Sequence, residues 1–367
     1  MRLTLVAATV AGLVAGVIGG LVVVLLDDHE GPAPGAAVSA PAARAERAAA
    51  ELSINEAVQR VLAGVVTIDV ELAPERDAEG NLVVQAAIGT GLVLSADGYI
   101  LTNEHVIRDA ERLTVILPNG EPREADVVGT DAPFTDIAVL RIAPGGLEPV
   151  EFGVSSDLEF GQTVVAVGNA LLIGAPTVTV GVVSNPDTSF PRDNRVQEFL
   201  IQTDAALNFG NSGGALITLG GAVVGLTTTV VRQTEAGQFI DGIGFALQVD
   251  VIVPIAMEII RSGRFPRPSF GVVDERTVTP ATALRNGLAI DRGSFLLEIT
   301  QRGAFARAGL RPGDIVLSIG GIAITPERPY LNVLSRIAPR LPVEVVYLTE
   351  DNEEVVATIT PELRRRP

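Results

Sequence analysis

Three residues of this chain have the types that nucleophilic catalysis requires: His105, Asp136 and Ser212. A serine hydroxyl is a weak nucleophile at neutral pH and needs a base to accept its proton. Histidine suits that task because its unperturbed pKa is about 6.5, and a buried carboxylate can fix its tautomer and stabilise the imidazolium. These residue types therefore predict a serine nucleophile, a general base and a carboxylate that orients the base.

The surroundings of Ser212 favour the same chemistry. Glycines precede and follow the serine in the run NFGNSGG, residues 208–214, which comes after an apolar strand-like segment. Glycine adopts positive φ at little cost and lets other groups approach the main chain closely. Such a turn exposes the hydroxyl and can aim backbone N–H groups at a developing oxyanion. A glycine-rich hairpin turn with an incidental serine is the alternative that this run by itself leaves open.

Each of the other two residues also has an ordinary structural explanation. A strand is predicted to end near Asn103, so His105 would lie in a helical turn at the end of an element, where a lone histidine is commonly structural. Asp136 comes directly before the apolar strand predicted at 137–142, where an aspartate often caps a turn. The three residues together favour catalysis over these separate explanations.

The composition describes an acidic protein with aliphatic cores. Its 367 residues suggest two or three domains, and 47% of them are hydrophobic. Aromatic residues make up only 4% and tryptophan is absent, so Val, Ile, Leu and Ala must fill the cores. The 44 acidic and 27 basic residues give a net charge of -17, which argues against nucleic acid as a partner.

Two further counts limit the chemistry. The chain has no cysteine, which excludes disulfides, thiol nucleophiles and cysteine metal sites. It has two histidines, His29 and His105, so a histidine-rich metal centre is excluded, and neither a metal nor a cofactor is expected. His29 lies in the acidic run DDHE, residues 27–30, where a solvated histidine is favoured over a metal ligand.

The N-terminus predicts a membrane anchor. Residues 3–26 contain no charged side chain, and a helix of this length, at about 1.5 Å per residue, spans about 30 Å of hydrocarbon. A cleaved signal peptide, the alternative, usually has a shorter apolar core. Arg2 precedes the span and acidic residues follow it, so the positive-inside bias puts the N-terminus in the cytoplasm and the bulk of the chain outside. Residues 1–26 are thus predicted to be a single-pass anchor, and residues 27–50, rich in Ala, Pro and Gly, a flexible linker.

Residues 51–263 have the pattern of a mainly β domain. The run SINE at 53–56 is a helix-capping signal, and Ile54, Val58 and Val61 recur at helical spacing after it. Short β-branched runs follow, many of them separated by turn signals, and this spacing is typical of antiparallel barrels or sandwiches. The predicted strands are 65–70, 82–94, 113–117, 137–142, 163–167, 178–183, 199–202 and 222–231, followed by a helix at 251–260.

A second, smaller domain is predicted at 264–363. The run FPRP at 265–268 marks the boundary, because proline at alternate positions resists both a helix and a central strand. The pattern after this boundary mixes α and β: a helix through Leu331, Leu334 and Ile337 precedes strands at 343–348 and 355–359.

The motifs of the larger domain resemble those of the HtrA (DegP/DegS-like) serine proteases. The matching blocks occur in the family's order over nearly the whole domain: GTGLVL at 89–94, DGYILTNEHVI at 97–107, TDIAVL at 135–140, VGN at 167–169, GVVS at 181–184, QTDAALNFGNSGG at 202–214 and GIGFA at 242–246. The chymotrypsin template, built on two β-barrels, has the same chain order of histidine, aspartate and serine.

This resemblance implies a mainly β fold with a chymotrypsin-like double β-barrel protease domain. It implies His105 as the general base, Asp136 as the carboxylate that orients it and Ser212 as the nucleophile. By the same match, the backbone N–H groups of Gly210 and Ser212 form the oxyanion hole.

The resemblance also predicts substrate preference. Leu207 and Ile243 match positions that line the family's primary specificity pocket, and because both are aliphatic, cleavage is expected after small or medium apolar residues. Two residues nearby depart from the family: Phe209 stands where a polar, basic or proline residue is frequent, and Asp241 where an apolar one is frequent. An Asp241 carboxylate that faces the pocket would shift the preference toward basic residues, although loop carboxylates usually face solvent.

The smaller domain resembles the PDZ module that follows the protease in this family, on the block AGLRPGD at 308–314. PDZ domains bind a peptide as an added strand and hold its terminal carboxylate with backbone N–H groups. The loop for this task would be Ser269, Phe270, Gly271 and Val272, in which Ser269 and Phe270 alter the rim relative to the family while Gly271 is kept. A PDZ domain that packs on the protease without binding peptide is the alternative.

Taken as a whole, the resemblance implies a membrane-anchored serine endopeptidase of extracytoplasmic protein quality control and stress response. Its partners would be unfolded or regulatory proteins, with peptide C-termini at the PDZ domain. A homotrimer is also implied, but the aromatic residues that help hold family trimers are not evident around Leu52 and Ile54. A non-proteolytic holdase or peptide-binding adaptor that keeps the same barrels is the alternative, and the intact triad favours the enzyme.

Overall fold

The computed structural model describes residues 52–76, 82–83, 86–169, 176–192, 195–230 and 241–364, which belong to one compact unit. The predicted anchor at 1–26 and the linker at 27–50, with His29, lie outside the described residues. Across the described ranges, no helix is both long and apolar enough to cross a membrane.

Strands dominate the larger domain. Its strands are β1 (Val65–Leu72), β2 (Glu75–Arg76), β3 (Leu82–Val83), β4 (Ala86–Ser95), β5 (Tyr99–Thr102), β6 (Ala110–Ile116), β7 (Pro122–Glu124), β8 (Asp126–Thr130), β9 (Ala138–Arg141), β10 (Thr163–Gly168), β11 (Thr177–Arg192), β12 (Arg195–Thr203), β13 (Ala215–Thr218), β14 (Val223–Val230) and β15 (Gly244–Gln248). Its helices are α1 (Ile54–Leu62), α2 (Glu104–Ile107) and α3 (Val249–Ser262), and a 3-10 turn covers Ser155–Asp157.

Two antiparallel layers form this domain, which agrees with the antiparallel barrels or sandwiches that the strand spacing predicts. The expectation of two closed barrels is corrected for the first layer, because its end strands β7 and β8 are not paired with each other in the described structure. The first is a seven-stranded sheet in the order β7-β6-β1-β4-β5-β9-β8, and the second is a closed six-stranded barrel in the order β10-β11-β12-β15-β14-β13. Each has its own aliphatic core, and a third cluster lies between them with residues of α1 and α3. The loops are thus attached to two layers that share the cluster between them.

Local signals in the sequence place both long helices of this domain correctly. Ser53 caps α1, because its hydroxyl accepts from the Glu56 N–H while the Glu56 carboxylate accepts from the Ser53 N–H at 2.9 Å. At the other end of the domain, Gly263 ends α3 in the left-handed conformation with φ of 76°. Each helix contributes a buried face to the cluster between the two layers.

Two of the predicted strands differ most from the structure. The run predicted as one strand at 82–94 contributes to two separate sheets, because β3 pairs with β2 whereas β4 pairs with β1. The strand predicted at 178–183 extends through residue 192, because the β11/β12 ladder shifts register at three places, beginning between Val183 and Asn185. Pro186 lies in this irregular stretch, and Pro191 lies beyond the part of β11 that pairs with β10, so neither proline ends the strand.

The smaller domain is a mixed α and β unit. Its strands are β16 (Pro268–Ser269), β17 (Val272–Thr277), β18 (Ser294–Ile299), β19 (Ile315–Ile319), β20 (Ile322–Ala323), β21 (Val343–Leu348), β22 (Glu354–Ile359) and β23 (Glu362–Leu363), and its helices are α4 (Pro280–Asn286), α5 (Ala304–Arg307) and α6 (Tyr330–Leu334). The main sheet has the order β17-β18-β19-β21-β22, so β17 is an edge strand.

The helix predicted through Leu331, Leu334 and Ile337 is shorter than expected. The α-helix ends at Leu334, and the next turns tighten, since the Ile337 N–H donates to the Leu334 carbonyl at 3.0 Å. Pro339 follows two residues later and cannot continue a helix.

Polar contacts join the smaller domain to the protease-like domain. The Arg267 guanidinium forms two hydrogen bonds with the Asp131 carboxylate, at 2.9 and 2.6 Å. Both side chains are nearly buried, with exposed fractions of 11% and 1%. Further contacts pair the Asn332 side chain with the Val196 backbone and Arg336 with Glu198. The segment before Asp136 is therefore held directly by the smaller domain.

Glu275 is a buried acid on β17. It is 7% exposed, and the Ser294 hydroxyl donates to its Oε2 at 2.6 Å. Burial raises the pKa of Glu275 to about 7; the Ser294 hydrogen bond lowers this pKa, Asp274 raises it and Arg276 lowers it. A carboxyl with this pKa holds a proton in the folded state at pH values where the unfolded chain has released it.

We expect Glu275→Gln to remove the fall in the free energy of unfolding that the wild type shows as pH rises. The folded pKa of about 7 lies above the unfolded value of 4.5. The folded state therefore binds the extra proton between these values, and the free energy of unfolding falls as pH rises through this window. The full cost above the window is on the order of 3 kcal/mol. In urea unfolding, the free energy of unfolding of the variant relative to that of the wild type should be higher at about pH 8 than at about pH 5.

The matched control is Glu298→Gln, because Glu298 is exposed on the neighbouring strand β18. Its stability relative to the wild type should change little between the two pH values. A stability difference for Glu275→Gln that is the same at both pH values would contradict the assignment.

Candidate active site

The structure brings His105 and Asp136 together at one edge of the first sheet. Strand β5 ends at Thr102 and its neighbour β9 begins at Ala138, directly opposite, so the residues that follow and precede them meet. The Nδ1 atom of His105 lies 2.6 Å from Asp136 Oδ2, and the His105 backbone N–H donates to Oδ1 at 3.0 Å. A proton on Nδ1 leaves Nε2 as the ring atom that can accept another. The carboxylate is 1% exposed and the imidazole 24% exposed, as a buried orienter and an accessible base require.

Thr228 gives Asp136 a further donor that the sequence did not single out. Its hydroxyl, on β14 of the closed barrel, donates to Asp136 Oδ2 at 2.8 Å. The Asn103 side chain donates to the Asp136 main-chain carbonyl at 2.8 Å. The Thr228 hydroxyl therefore helps to hold the carboxylate in one orientation, and the Asn103 side chain holds the backbone of the same residue.

Ser212 lies on the other side of Thr228. Its hydroxyl donates to the Thr228 main-chain carbonyl at 3.1 Å. Thr228 thus contacts both the serine and the aspartate, one through its carbonyl and one through its hydroxyl. Transfer of the serine proton to His105 therefore needs a rotation of that hydroxyl away from the carbonyl.

The turn around Ser212 has the geometry that its glycines predict. Gly210 and Gly213 have φ of 94° and 82°, in the left-handed region that favours glycine. Within the turn, the Asn211 N–H donates to the Asn208 carbonyl at 3.0 Å. The interpretation as a sharp glycine turn is confirmed, and the turn connects β12 to β13 of the closed barrel.

Thr90 of the first sheet holds the carbonyl groups of this turn. Its hydroxyl donates to the Gly210 carbonyl at 2.6 Å and accepts from the Asn169 N–H at 2.8 Å. Its backbone N–H donates to the Ser212 carbonyl at 2.9 Å. Among the described residues, the N–H groups of Gly210 and Ser212 donate to no other group. These are the two donors predicted for the oxyanion hole, and their role there stays a prediction.

The residues predicted for the specificity pocket pack against different parts of the core. Leu207 is buried in the core of the closed barrel and lies over Gly244, where an added methyl group would come 2.8 Å from its Cδ1. Ile243 is half-buried and packs against the cluster between the two layers. Phe209 is 82% exposed beside the turn, and Asp241 is exposed. The role of Leu207 and Ile243 in a pocket stays a prediction.

The loop of Ser269, Phe270, Gly271 and Val272 lies where β16 passes into the edge strand β17. The interpretation of Phe270 as a rim residue is wrong, because its side chain is 1% exposed and stacks on Phe305 with ring centroids 4.5 Å apart. Gly271 has φ of 87°, so the loop needs glycine at this position.

The contribution of the Thr228 hydroxyl can be measured separately from that of the Thr228 main-chain carbonyl. We expect Thr228→Val, which keeps the shape and removes the hydroxyl, to lower kcat/KM about tenfold, because a hydrogen bond to a buried charge is lost. Thr228→Ser should restore most of the activity. Steady-state cleavage of a fluorogenic peptide checks both, and a valine variant as active as the wild type would contradict the role.

Sequence reasoning missed Thr228 and Thr90 for the same reason. Thr90 lies in the GTG block that carries the family resemblance, and Thr228 lies in a run of three threonines after Ser212. Their hydroxyls act on residues 92 and 120 positions away along the chain, and only the packing of the two layers shows these contacts. No cluster of three metal-ligating side chains occurs in the described part of the chain.

Comparisons with known proteins identify similar serine proteases. The family described as trypsin-like peptidase domain matches residues 89–226. A probable periplasmic serine endoprotease, DegP-like, of Pseudomonas fluorescens strain Pf-5 is 37% identical over 71% of this chain and 53% of its own length. The serine endoprotease DegS of Salmonella typhimurium is 32% identical over 82% of this chain and 83% of its own length.

A solved structure, the HtrA-type protease AlgW with a decapeptide, superposes with a TM-score of 0.64 at 29% identity. The match covers 86% of the present chain and 100% of the AlgW chain. The chain spans about half the length of the DegP-like relative and most of the length of DegS and AlgW.

Proposed function

This chain belongs to the HtrA family of serine endoproteases, and we propose that it hydrolyses peptide bonds of unfolded or regulatory proteins outside the cytoplasm. The observation that carries the proposal is the hydrogen-bonded pair of His105 and Asp136, linked through Thr228 to Ser212 on its glycine turn. A buried carboxylate, a partly exposed imidazole and a serine hydroxyl, in this chain order, are the groups that acyl transfer needs.

In the proposed reaction, Ser212 Oγ attacks the scissile carbonyl carbon while His105 Nε2 takes its proton. Asp136 keeps the other ring nitrogen protonated and stabilises the imidazolium that forms. The N–H groups of Gly210 and Ser212 stabilise the negative oxygen of the tetrahedral intermediate. His105 then gives the proton to the leaving amine, and it activates the water that releases the acyl group from Ser212.

The proposed substrates are chains that expose apolar residues. Leu207 and Ile243 would line the primary pocket, and cleavage would follow small or medium apolar side chains. Folded proteins bury such residues, so unfolded or misfolded proteins would be preferred. Relatives named as periplasmic endoproteases support a location outside the cytoplasm, where this chain would act in protein quality control and the stress response.

The finer architecture is also part of the proposal. Residues 1–26 would anchor the chain in the membrane with the N-terminus in the cytoplasm, followed by the linker at 27–50. The protease domain would occupy 51–263 and a PDZ domain 264–363, with peptide C-termini bound at the loop 269–272. A homotrimer is proposed from the family alone.

The function is tested by cleavage of casein with the full-length chain purified in mild detergent. Ser212→Ala should lower the rate by at least about 10⁴-fold, because the nucleophile is lost. Ser156→Ala, at an exposed serine in the 3-10 turn, serves as the matched control and should cleave like the wild type. Undiminished cleavage by Ser212→Ala would overturn the catalytic assignment.

A non-proteolytic holdase or peptide-binding adaptor is the second candidate. The observation that favours it is the Ser212 hydroxyl, which donates to the Thr228 carbonyl in this conformation. A holdase would suppress aggregation of unfolded casein equally well as the wild type and as Ser212→Ala, and it would show no cleavage even with added C-terminal peptides. Cleavage that requires Ser212 excludes this candidate as the main function.

A further inference from the structure

A cavity in the smaller domain has an unusual polar floor. The cavity, of about 290 Å³, lies between the edge strand β17 and helix α6. Pro133 and Phe134 of the protease-like domain and Arg364 complete its walls. Because β17 has an open edge, an extended peptide can add to it here. The surrounding core is apolar, with Phe270, Phe305 and their neighbours packed beneath the groove.

Glu275 reaches this floor because β17 is irregular. The ladder with β18 shifts register on both sides of Asp274, and this turns the Glu275 side chain inward, to an exposed fraction of 7%. The Ser294 hydroxyl donates to Glu275 Oε2 at 2.6 Å. An acid at a core-facing position of an edge strand is costly, because burial penalises its charged form.

Tyr330 adds a second buried polar group to the same cavity. It begins α6, is 3% exposed, and its hydroxyl has no hydrogen-bond partner among the described residues. Burial raises the pKa of Tyr330 well above its ordinary value, and Glu275 raises it further. A buried hydroxyl without a partner costs stability, so a ligand group that supplies one would be favoured.

A guanidinium group also lines the groove. Arg364 is half-buried beside Ser269, with its guanidinium 5.5 Å from the centre of the Phe134 ring. Burial lowers the pKa of Arg364, and Asp131 raises it. Burial removes water from this guanidinium. A negative group near the loop 269–272 would therefore supply hydrogen bonds in place of that water. The groove thus pairs a cation at its loop end with an acid and a hydroxyl in its floor.

We propose that this groove binds the carboxyl terminus of a peptide that places a lysine side chain against Glu275 and Tyr330. The ammonium group has three donors and no acceptor, so it can donate to the Glu275 carboxylate and to the Tyr330 oxygen together. The four-carbon stem packs against the apolar walls, and the peptide carboxylate lies toward Arg364. The inference rests on the proposed role of the smaller domain as a peptide-binding module, and it names the peptide chemistry.

The test compares labelled short peptides that differ at one side chain. Each pair carries lysine or norleucine, its apolar analogue of similar length, at the last, second-last or third-last position. Binding to the full-length Ser212→Ala chain is measured by fluorescence anisotropy, so that the peptides are not cleaved. At one of the three positions the lysine peptide should bind at least about tenfold more tightly than its norleucine partner.

Substitutions in the groove test which side chains cause the preference for lysine. Glu275→Gln should abolish the advantage of lysine, and Tyr330→Phe should reduce it about threefold. Glu298→Gln, at the exposed acid of the neighbouring strand, should keep it. Thermal unfolding confirms that each variant is folded before its affinity is compared.

The outcomes separate this inference from the proposed function. If norleucine peptides bind as well as lysine peptides at every position, or if the lysine advantage survives Glu275→Gln, the inference is overturned while the peptide-binding role stands. If no peptide binds, both the inference and that role fail. Casein cleavage by the wild-type chain, measured beside these assays, reports on the protease function independently.

Discussion

Replacing Asp136 by asparagine should lower kcat for peptide cleavage by about 10⁴-fold, the loss known for this change in the chymotrypsin template. Asp136 accepts from the His105 backbone N–H, from His105 Nδ1 and from the Thr228 hydroxyl. An amide presents its NH₂ group to at least one of these donors. When NH₂ faces His105 Nδ1, the ring proton moves to Nε2, and the base can no longer accept the serine proton.

The measurement is single-substrate kinetics on a fluorogenic peptide at neutral pH. Asp97→Asn, at an exposed turn of the same domain, is the matched control and should keep wild-type kcat. Because asparagine has the size of aspartate, the free energy of unfolding should change far less than the rate does. An asparagine variant within tenfold of the wild type would show that Asp136 does not orient the base.

Replacing Gly213 by alanine should prevent the catalytic turn from forming. An alanine Cβ at this position would lie 2.0 Å from the Thr90 carbonyl oxygen and 2.5 Å from Thr102 Oγ1. Thr90 cannot move aside easily, because it pairs with Thr67 in the sheet and its carbonyl accepts from the Thr102 hydroxyl at 2.7 Å. We expect a loss of more than about 4 kcal/mol in the free energy of unfolding, together with loss of cleavage.

The control for this prediction is Gly120→Ala. Gly120 has φ of 84°, nearly that of Gly213, but no atom lies within 4 Å of the added Cβ. Its variant should lose about 1 kcal/mol from backbone strain alone and should keep its activity. Chemical denaturation of the two variants therefore separates the strain of a positive φ from the steric clash. Similar losses for both would mean that the turn can shift around a side chain.

The local elements of this protein could be predicted from the sequence because their causes are local. Ser53 and Glu56 cap α1 through contacts three residues apart, and Gly263 ends α3 by its own backbone conformation. The assignment of β3 and β4 to different sheets and the length of β11 could not be predicted in this way. Register shifts depend on the partner strand, which a periodic pattern of single residues does not contain.

The residues around the candidate site show the same difference between local causes and contacts that are distant along the chain. The types and order of His105, Asp136 and Ser212 indicate the chemistry. Thr228 and Thr90 have no such signal, because a threonine in a strand is ordinary. The sequence likewise contains no signal that Glu275 is buried, because its burial depends on the irregular ladder with β18.

The sequence by itself indicated the types of the candidate reacting groups, the glycines that allow the sharp turn and the mainly β class. These features depend on residue type and on near neighbours along the chain. Only the tertiary structure decided that the first layer and the closed barrel meet at Thr90 and Thr228, and that Arg267 of the smaller domain holds the segment before Asp136. Hydrogen bonds between residues more than 90 positions apart form only when both layers are packed, so their partners are set by the fold and not by the chain order.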